Sequence, residues 1–171
     1  MSKIPSKIEV AVMDSTAFIR ISGRASLLNS VEFRSGVNTL AHRGVSHFVL
    51  DLTECPIMDS TFLGVLAGLV IGEGKEGSAL GIEILNPHQR VVDLLDSLGV
   101  VHFFKISHNA QPCTAVFDES ISDSDRVSAA ERSRTCLEAH KVLMDLNPQN
   151  IPKFQDLTRL LVEDLEKKGP A

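Results

Sequence analysis

The chain has 171 residues, 43% hydrophobic and 23% charged, with a formal net charge of −5. That composition gives a core large enough to fold without disulfides or metals and excludes a disordered chain. A mildly acidic chain with no Lys/Arg cluster is a poor electrostatic partner for nucleic acid or an anionic membrane, and with no Trp, no Tyr and eight Phe it is short of stacking platforms for bases and sugars.

Residues 8–13 and 18–21 are short, apolar and β-branched, and the turn chemistry of Asp14-Ser15-Thr16 between them predicts a hairpin. Residues 26–42 carry Leu27, Val31, Val37, Leu40 and Ala41 at near-helical spacing, with Ser26 placed to cap the helix. Residues 48–52 read as a strand. Asp59 then precedes a helix from Ser60 to Gly72, closed by a turn at Gly74-Lys75-Glu76-Gly77. A strand over 79–85 leads through Asn86-Pro87 into a helix lined by Val91, Leu94, Leu95 and Leu98 and ended by Gly99, and residues 102–106 read as a last strand. Helices alternating with strands after a hairpin imply an α/β fold with a mixed, mostly parallel sheet backed by helices.

The composition changes over residues 118–125, a Ser/Asp-rich stretch that reads as a linker between a domain at 1–117 and an extension at 126–171. The extension reads as two helices. The first has the capping-box pattern Ser128-Ala129-Ala130-Glu131, then Cys136, Ala139, Leu143 and Leu146, and stops at Asn147-Pro148. The second starts near Asn150 and carries Ile151, Phe154, Leu157, Leu161 and Leu165 on one stripe. Such a hairpin must cover its stripes, either on its own domain or on a second copy. The reach of the linker and the ease of forming a four-helix bundle favour a homodimer through residues 126–167.

The helix from Ser60 to Gly72 has no charged residue. A helix apolar all round is buried all round. One face, with Leu63, Leu66, Ala67 and Val70, suits the sheet; the other, with Phe62, Val65 and Leu69, is either tucked under a neighbouring helix or presented to a partner. Gly64, Gly68 and Gly72 form a row every four residues. A mid-helix glycine costs about 0.8–1 kcal/mol, so the row implies close approach by another backbone. Asp59 is placed as the N-cap and Ser60 at the first helical position; loss of the Ser60 hydroxyl is then expected to cost only a few tenths of a kcal/mol, against about 0.5–2 for loss of the cap.

Catalytic patterns are missing. The six His make no HExxH, there is no Walker A spacing, no GxGxxG after a strand and no GxSxG elbow. His102 lies in an apolar run and is expected in the core. Asp51 and Asp59 flank a loop in which nothing positions a substrate. The cysteines, Cys55, Cys113 and Cys136, are widely spaced and read as reduced, buried thiols. No catalytic residue, metal or cofactor is expected. The N-terminal MSKIPSKIEV lacks a signal-peptide apolar region, and the apolar run 62–71 is too short to span a bilayer. A cytoplasmic protein without membrane insertion is expected.

The run Val49-Leu50-Asp51-Leu52-Thr53-Glu54-Cys55-Pro56-Ile57-Met58-Asp59-Ser60-Thr61-Phe62-Leu63-Gly64-Val65-Leu66 resembles the signature of STAS domains, in particular bacterial anti-sigma factor antagonists. Leu85-Asn86-Pro87, the helix from Val91 to Leu98 and Gly99-Val100 before Phe103-Phe104 resemble the second half of that family's domain. The resemblance spans about residues 5–117 and implies a STAS-like mixed sheet backed by helices, here with a C-terminal two-helix extension. It also implies a partner-switching regulator of transcription. Ser60 would be phosphorylated by an anti-sigma factor that is also a serine kinase, the unphosphorylated form would bind that factor, and a phosphatase would reset the switch. Thr61 is the alternative acceptor, Asp59 supports the phosphosite, and Phe62, Val65, Leu69 and Ser26 are the expected partner contacts. Two positions depart from the family pattern: Ser26 stands where an Asp is usual, and Phe62 where a Gly follows the Ser/Thr. Two other functions compete, a STAS scaffold subunit of a signalling or transport complex that is never phosphorylated, and a small-ligand or nucleotide-binding module.

Overall fold

Two strands, β1 (Lys7–Met13) and β2 (Thr16–Ser22), the second of alternating burial, form an antiparallel hairpin in register from Lys7 opposite Ser22 to Met13 opposite Thr16. Asp14 turns it at φ 57°, a left-handed conformation that Asp tolerates. There follow β3 (Arg24–Ala25), α1 (Leu27–His42), β4 (His47–Asp51), β5 (Ile57–Met58), α2 (Ser60–Ile71), β6 (Gly81–Leu85), α3 (Gln89–Ser97), a 3-10 turn at Val101–Phe103, β7 (Lys105–Ser107), β8 (Glu119–Ile121), α4 (Ala129–Leu146), a second 3-10 turn at Pro148–Asn150, and α5 (Ile151–Lys168). The structure is a computed structural model and describes residues 5–72, 79–111, 115–121 and 127–168.

Six strands form one mixed sheet in the order β7-β6-β4-β2-β1-β8. β2, β4, β6 and β7 run parallel to one another, while β1 is antiparallel to β2 and β8. Alternation in β2 sends Ala17, Ile19 and Ile21 to the buried face. There they join Phe48 and Leu50 of β4, Ile84 of β6, Phe33 of α1, Phe62, Leu63 and Leu66 of α2, and Leu95 of α3 in one apolar core. The expected helix-backed mixed sheet is present.

Three details differ from the sequence reading. β3 and β5 pair in a separate parallel two-stranded ribbon. Residues 102–106 do not make one strand: a 3-10 turn comes first, so the His102 ring is exposed and stacks 4.2 Å from the Phe103 ring while Phe104 takes the buried place. Part of the polar stretch 118–125 is sheet, because β8 pairs with the open edge of β1 and Ile121 lies over Gly36 of α1. An edge strand with free N–H and C=O groups accepts even a polar segment. The turn expected at 74–77 lies outside the described residues, as does Cys113; Cys55 and Cys136 are buried free thiols.

The C-terminal hairpin lies on its own chain. Ser128 and Glu131 form the predicted capping box of α4, and α4 packs along α2 and also touches α1, with Arg34 donating to Glu138 at 2.8 Å and to Thr135 at 3.1 Å. Its inward stripe is therefore satisfied within the chain rather than by a second copy. The hairpin corner sits on the carboxyl end of α3: Asn150, fully buried, donates from Nδ2 to the carbonyls of Leu98 (2.9 Å) and Leu143 (2.8 Å), and Lys153 Nζ donates to the Ser97 carbonyl (2.7 Å). The α5 stripe is only partly covered: Phe154 packs on the core, whereas Ile151 and Leu157 are exposed, as is Leu160 beside them.

Asn150 is thus a clip between α3 and the hairpin. Asn150→Ala should lower unfolding stability by about 1–3 kcal/mol, the loss of two buried hydrogen bonds, whereas Gln149→Ala on the exposed side of the same turn should change it by less than about 0.5 kcal/mol. Urea unfolding followed by circular dichroism checks both.

Candidate functional site

The site is built on the loop where β5 enters α2. Asp59 is extended (φ −96°, ψ 170°) and caps α2, its Oδ1 accepting from Phe62 N at 2.9 Å. Its Oδ2 accepts from Leu27 N at 2.9 Å, at the start of α1. One carboxylate therefore satisfies the amino ends of two helices, where backbone N–H groups are otherwise unpaired and the helix dipoles favour negative charge. The Asp59 amide donates to the Ala25 carbonyl at 2.9 Å and completes the lock between the two loops. Ser26 caps α1, accepting from Leu28 N at 3.3 Å in a capping box with Asn29. At 8% exposure it serves the fold, and with Asp59 at its side α1 needs no carboxylate of its own at that position.

Ser60 stands at the first position of α2, half-buried, with its Oγ 2.8 Å from His140 Nε2 on α4. His140 Nδ1 is 2.7 Å from the Cys136 carbonyl. A carbonyl only accepts, so Nδ1 carries the proton, Nε2 of the neutral ring is an acceptor, and Ser60 is the donor. The imidazole is 1% exposed and meets the Phe154 ring edge-on at 4.7 Å. Burial holds it below its ordinary pKa of 6.5, against smaller upward effects of the Cys136 carbonyl and the Asp59 carboxylate. Beside it, Thr61 Oγ1 lies 3.4 Å from Cys136 Sγ, and burial pushes that thiol up. One helical turn on, a Cβ at Gly64 would sit 2.4 Å from the Ala139 carbonyl oxygen, and one at Gly68 3.7 Å from Val142. The glycine row is where α4 approaches α2.

The sequence-predicted residues separate into two sets. Asp59 and Ser60 occupy the cap and the first helical position as expected, with Thr61 next to them but 4% exposed. Phe62, Val65 and Leu69 are buried at 0%, 4% and 7% exposure and present no free face. Phe62 fills the space between helices, its ring 4.7 Å from that of Phe33 on α1, so a bulky side chain at the family's Gly position is used for packing. The row that faces outward from the sheet is instead Ser60, Thr61, Gly64 and Gly68, and α4 covers it. His140 was not legible as a site residue, because its partner Ser60 lies 80 residues away in sequence; the usable signal was the small-residue spacing Cys136 to Ala139, complementary to the glycine row. Among the described residues no group of three or more His, Cys, Asp or Glu is arranged to hold a metal ion, and no helix is long and apolar enough to cross a membrane.

A hairpin-led mixed sheet with a capped Asp-Ser helix start defines a STAS-type domain. The chain belongs to that family: the family model described as Mlab, STAS domain, matches residues 8–105. Among solved structures it is similar to an anti-sigma factor antagonist from Mycobacterium paratuberculosis, at 16% identity and a TM-score of 0.51 over 62% of this chain and 87% of that one. It is also similar to the anti-sigma factor antagonist SpoIIAA in its unphosphorylated form (20% identity, TM-score 0.48, 63% and 90% of the chains) and to the Bacillus cell fate determinant SpoIIAA in its phosphorylated form (19%, 0.46, 61% and 93%). No curated protein matches the chain. The match to the family model ends at residue 105, so α4 and α5 lie beyond the matched residues.

Asp59→Ala removes acceptors from two helix starts and should cost about 2–3 kcal/mol. For Ser60→Ala, which leaves the His140 Nε2 acceptor unpaired in a buried place, about 1–2 kcal/mol is expected in place of the few tenths that the first helical position alone implies. Chemical denaturation of both variants gives the order.

His140 sets a pH dependence. Its folded pKa is depressed, so the unfolded chain takes up the proton first on acidification. The stability it contributes is complete above pH 6.5 and is lost as pH falls below that value. Urea midpoints should fall between about pH 7.5 and about pH 5.5, and the fall should be smaller in His140→Gln, which cannot charge.

Proposed function

We propose that this chain is a phosphorylation-controlled protein-binding regulator of the partner-switching kind, with Ser60 as the phosphoacceptor. The observation that carries the reading is the Ser60 hydroxyl at the amino end of α2, on a loop locked by Asp59. A kinase would transfer the terminal phosphoryl group of ATP to Ser60 Oγ, with loss of the hydroxyl proton and departure of ADP. The product adds about −1.5 to −2 charges at a position where the helix dipole tolerates anions, so the modification acts on binding rather than on the fold of the domain. The reading assigns no catalysis to the chain. The implied partners are an anti-sigma factor with serine-kinase activity and a phosphatase, and the unphosphorylated form is the binding form.

A second reading has its own support. The Ser60 hydroxyl is already bonded beneath α4, and the α2 row beside it is covered, which suits a STAS scaffold subunit that is never modified. Incubation of the full chain with extract of its own cells and ATP, followed by mass spectrometry of the peptide spanning 59–69, separates the two: phosphate on Ser60 supports the switch, and its absence under conditions that label other serine phosphoproteins supports the scaffold. In a parallel pull-down, Ser60→Ala should retain a protein that Ser60→Asp loses, and identical sets of bound proteins would count against the switch.

A further inference from the structure

Both α4 and α5 lie beyond the residues that the family model matches, and α4 is seated on the row of α2 that the sheet and α1 leave open. We infer that the hairpin is an intramolecular cover for the switch face, and that its docked state and phosphorylation of Ser60 exclude each other. The inference rests on the reading of Ser60 as phosphoacceptor and adds a closed state to it. Both modification and partner binding draw on the open form, so each is weakened by the fraction of molecules that is closed.

Three observations carry it. The first is the polarity of the Ser60–His140 contact. Nδ1 donates to the Cys136 carbonyl, which leaves Nε2 as an acceptor aimed at Ser60 Oγ from 2.8 Å. Phosphorylation removes the hydroxyl proton and places an anion against that lone pair, with the Asp59 carboxylate close enough to act on the same ring. The ring could accommodate the anion by charging inside a buried site, or by moving its proton to Nε2 and losing the bond from Nδ1 to the Cys136 carbonyl. The groups facing it are Ser60, Thr61 and Asp59 from α2 and its loop, Cys136 on its own helix and the Phe154 ring from α5, and none of them is a second cation. The second is the fit of α4. Its backbone at Ala139 touches the Gly64 position so closely that no side chain fits between them, which is the contact a partner helix with a small residue at closest approach would make. A partner and α4 therefore compete for one groove. The third is the kind of anchor that holds the hairpin elsewhere. Its corner is tied to α3 by side-chain hydrogen bonds from Asn147, Asn150 and Lys153 to the carbonyls of Leu98 and Ser97, and α5 leaves Ile151, Leu157, Leu160 and Val162 exposed. Release exchanges these hydrogen bonds for water and gives up the apolar contacts of Ala139, Val142 and Leu143 on α4, while Phe48, Leu50 and Ile84 of the sheet keep their packing on Phe33 and Phe62.

Cys136 reports the docked state, since it lies on the covered side of α4 at 7% exposure, while Cys55 lies under the domain at 0%. The test uses three full-length proteins: wild type, a form with phosphoserine incorporated during translation at position 60, and Ala139→Leu, which adds bulk on the α4 side of the Gly64 contact and leaves α2 unaltered. Each is alkylated with iodoacetamide at about pH 8, where the imidazole is neutral, and labelling of the two peptides is timed by mass spectrometry. Labelling of Cys136 should be about tenfold faster or more in both altered forms, with Cys55 unchanged. Unchanged Cys136 in the phosphoserine form overturns the exclusion. Equal acceleration of Cys55 in Ala139→Leu overturns the cover, because the hairpin would then be part of the domain core. No kinase is needed, so opening of the phosphoserine form together with absence of labelling by extract and ATP would reject Ser60 as a natural acceptor while leaving the cover in place.

Discussion

Helix α2 carries no charged side chain, and that constraint organises the molecule. Eight of its twelve residues, from Thr61 to Leu69, are buried, because a helix without a polar face has no side to give to water. The sheet takes one side through Leu63 and Leu66, α1 takes another through the Phe33–Phe62 ring pair, and α4 takes the glycine row. Each cover has its own chemistry. The sheet side is plain apolar packing. The α4 side is a close backbone approach at Gly64 that ends, toward the helix start, in the hydroxyls of Ser60 and Thr61 with the imidazole and thiol of His140 and Cys136.

That gradient from apolar to polar along one helix is what makes the start of α2 a site and the rest of it a core. At the polar end every group has a defined partner, and the partners come from both the family's domain and the added hairpin. Asp59 binds the two helix starts within the domain. Ser60 faces out of the domain to the hairpin. The same short segment therefore has one residue that ties two helix starts together and a neighbour bonded to a helix 80 residues away in sequence.

The two departures from the family pattern have physical accounts. Ser26 at the usual Asp position still caps α1, and the second acceptor for that helix start comes from Asp59. Phe62 at the usual Gly position fills space against Phe33. Both changes serve packing and capping inside the domain.

Much of this was legible from residue order. The hairpin, the alternation of strands and helices, the caps at Ser26, Asp59 and Ser128 and the Asp-Ser helix start are local features, set by turn chemistry, periodicity and side chains that bond within four residues of themselves. The glycine row also announced that something would approach α2 closely. What approached it was decided only by the tertiary structure. The pairing of Ser60 with His140 spans 80 residues, and the choice between covering α2 from within the chain and covering it with a second copy depends on where the chain after β8 is delivered. Edge pairing of Glu119–Ile121 with β1 fixes that point, through backbone hydrogen bonds that carry no side-chain signature, so three residues of a stretch that reads as linker are strand. Side-chain chemistry near in sequence determined the elements and the site's first two residues; backbone pairing far apart in sequence decided what covers them.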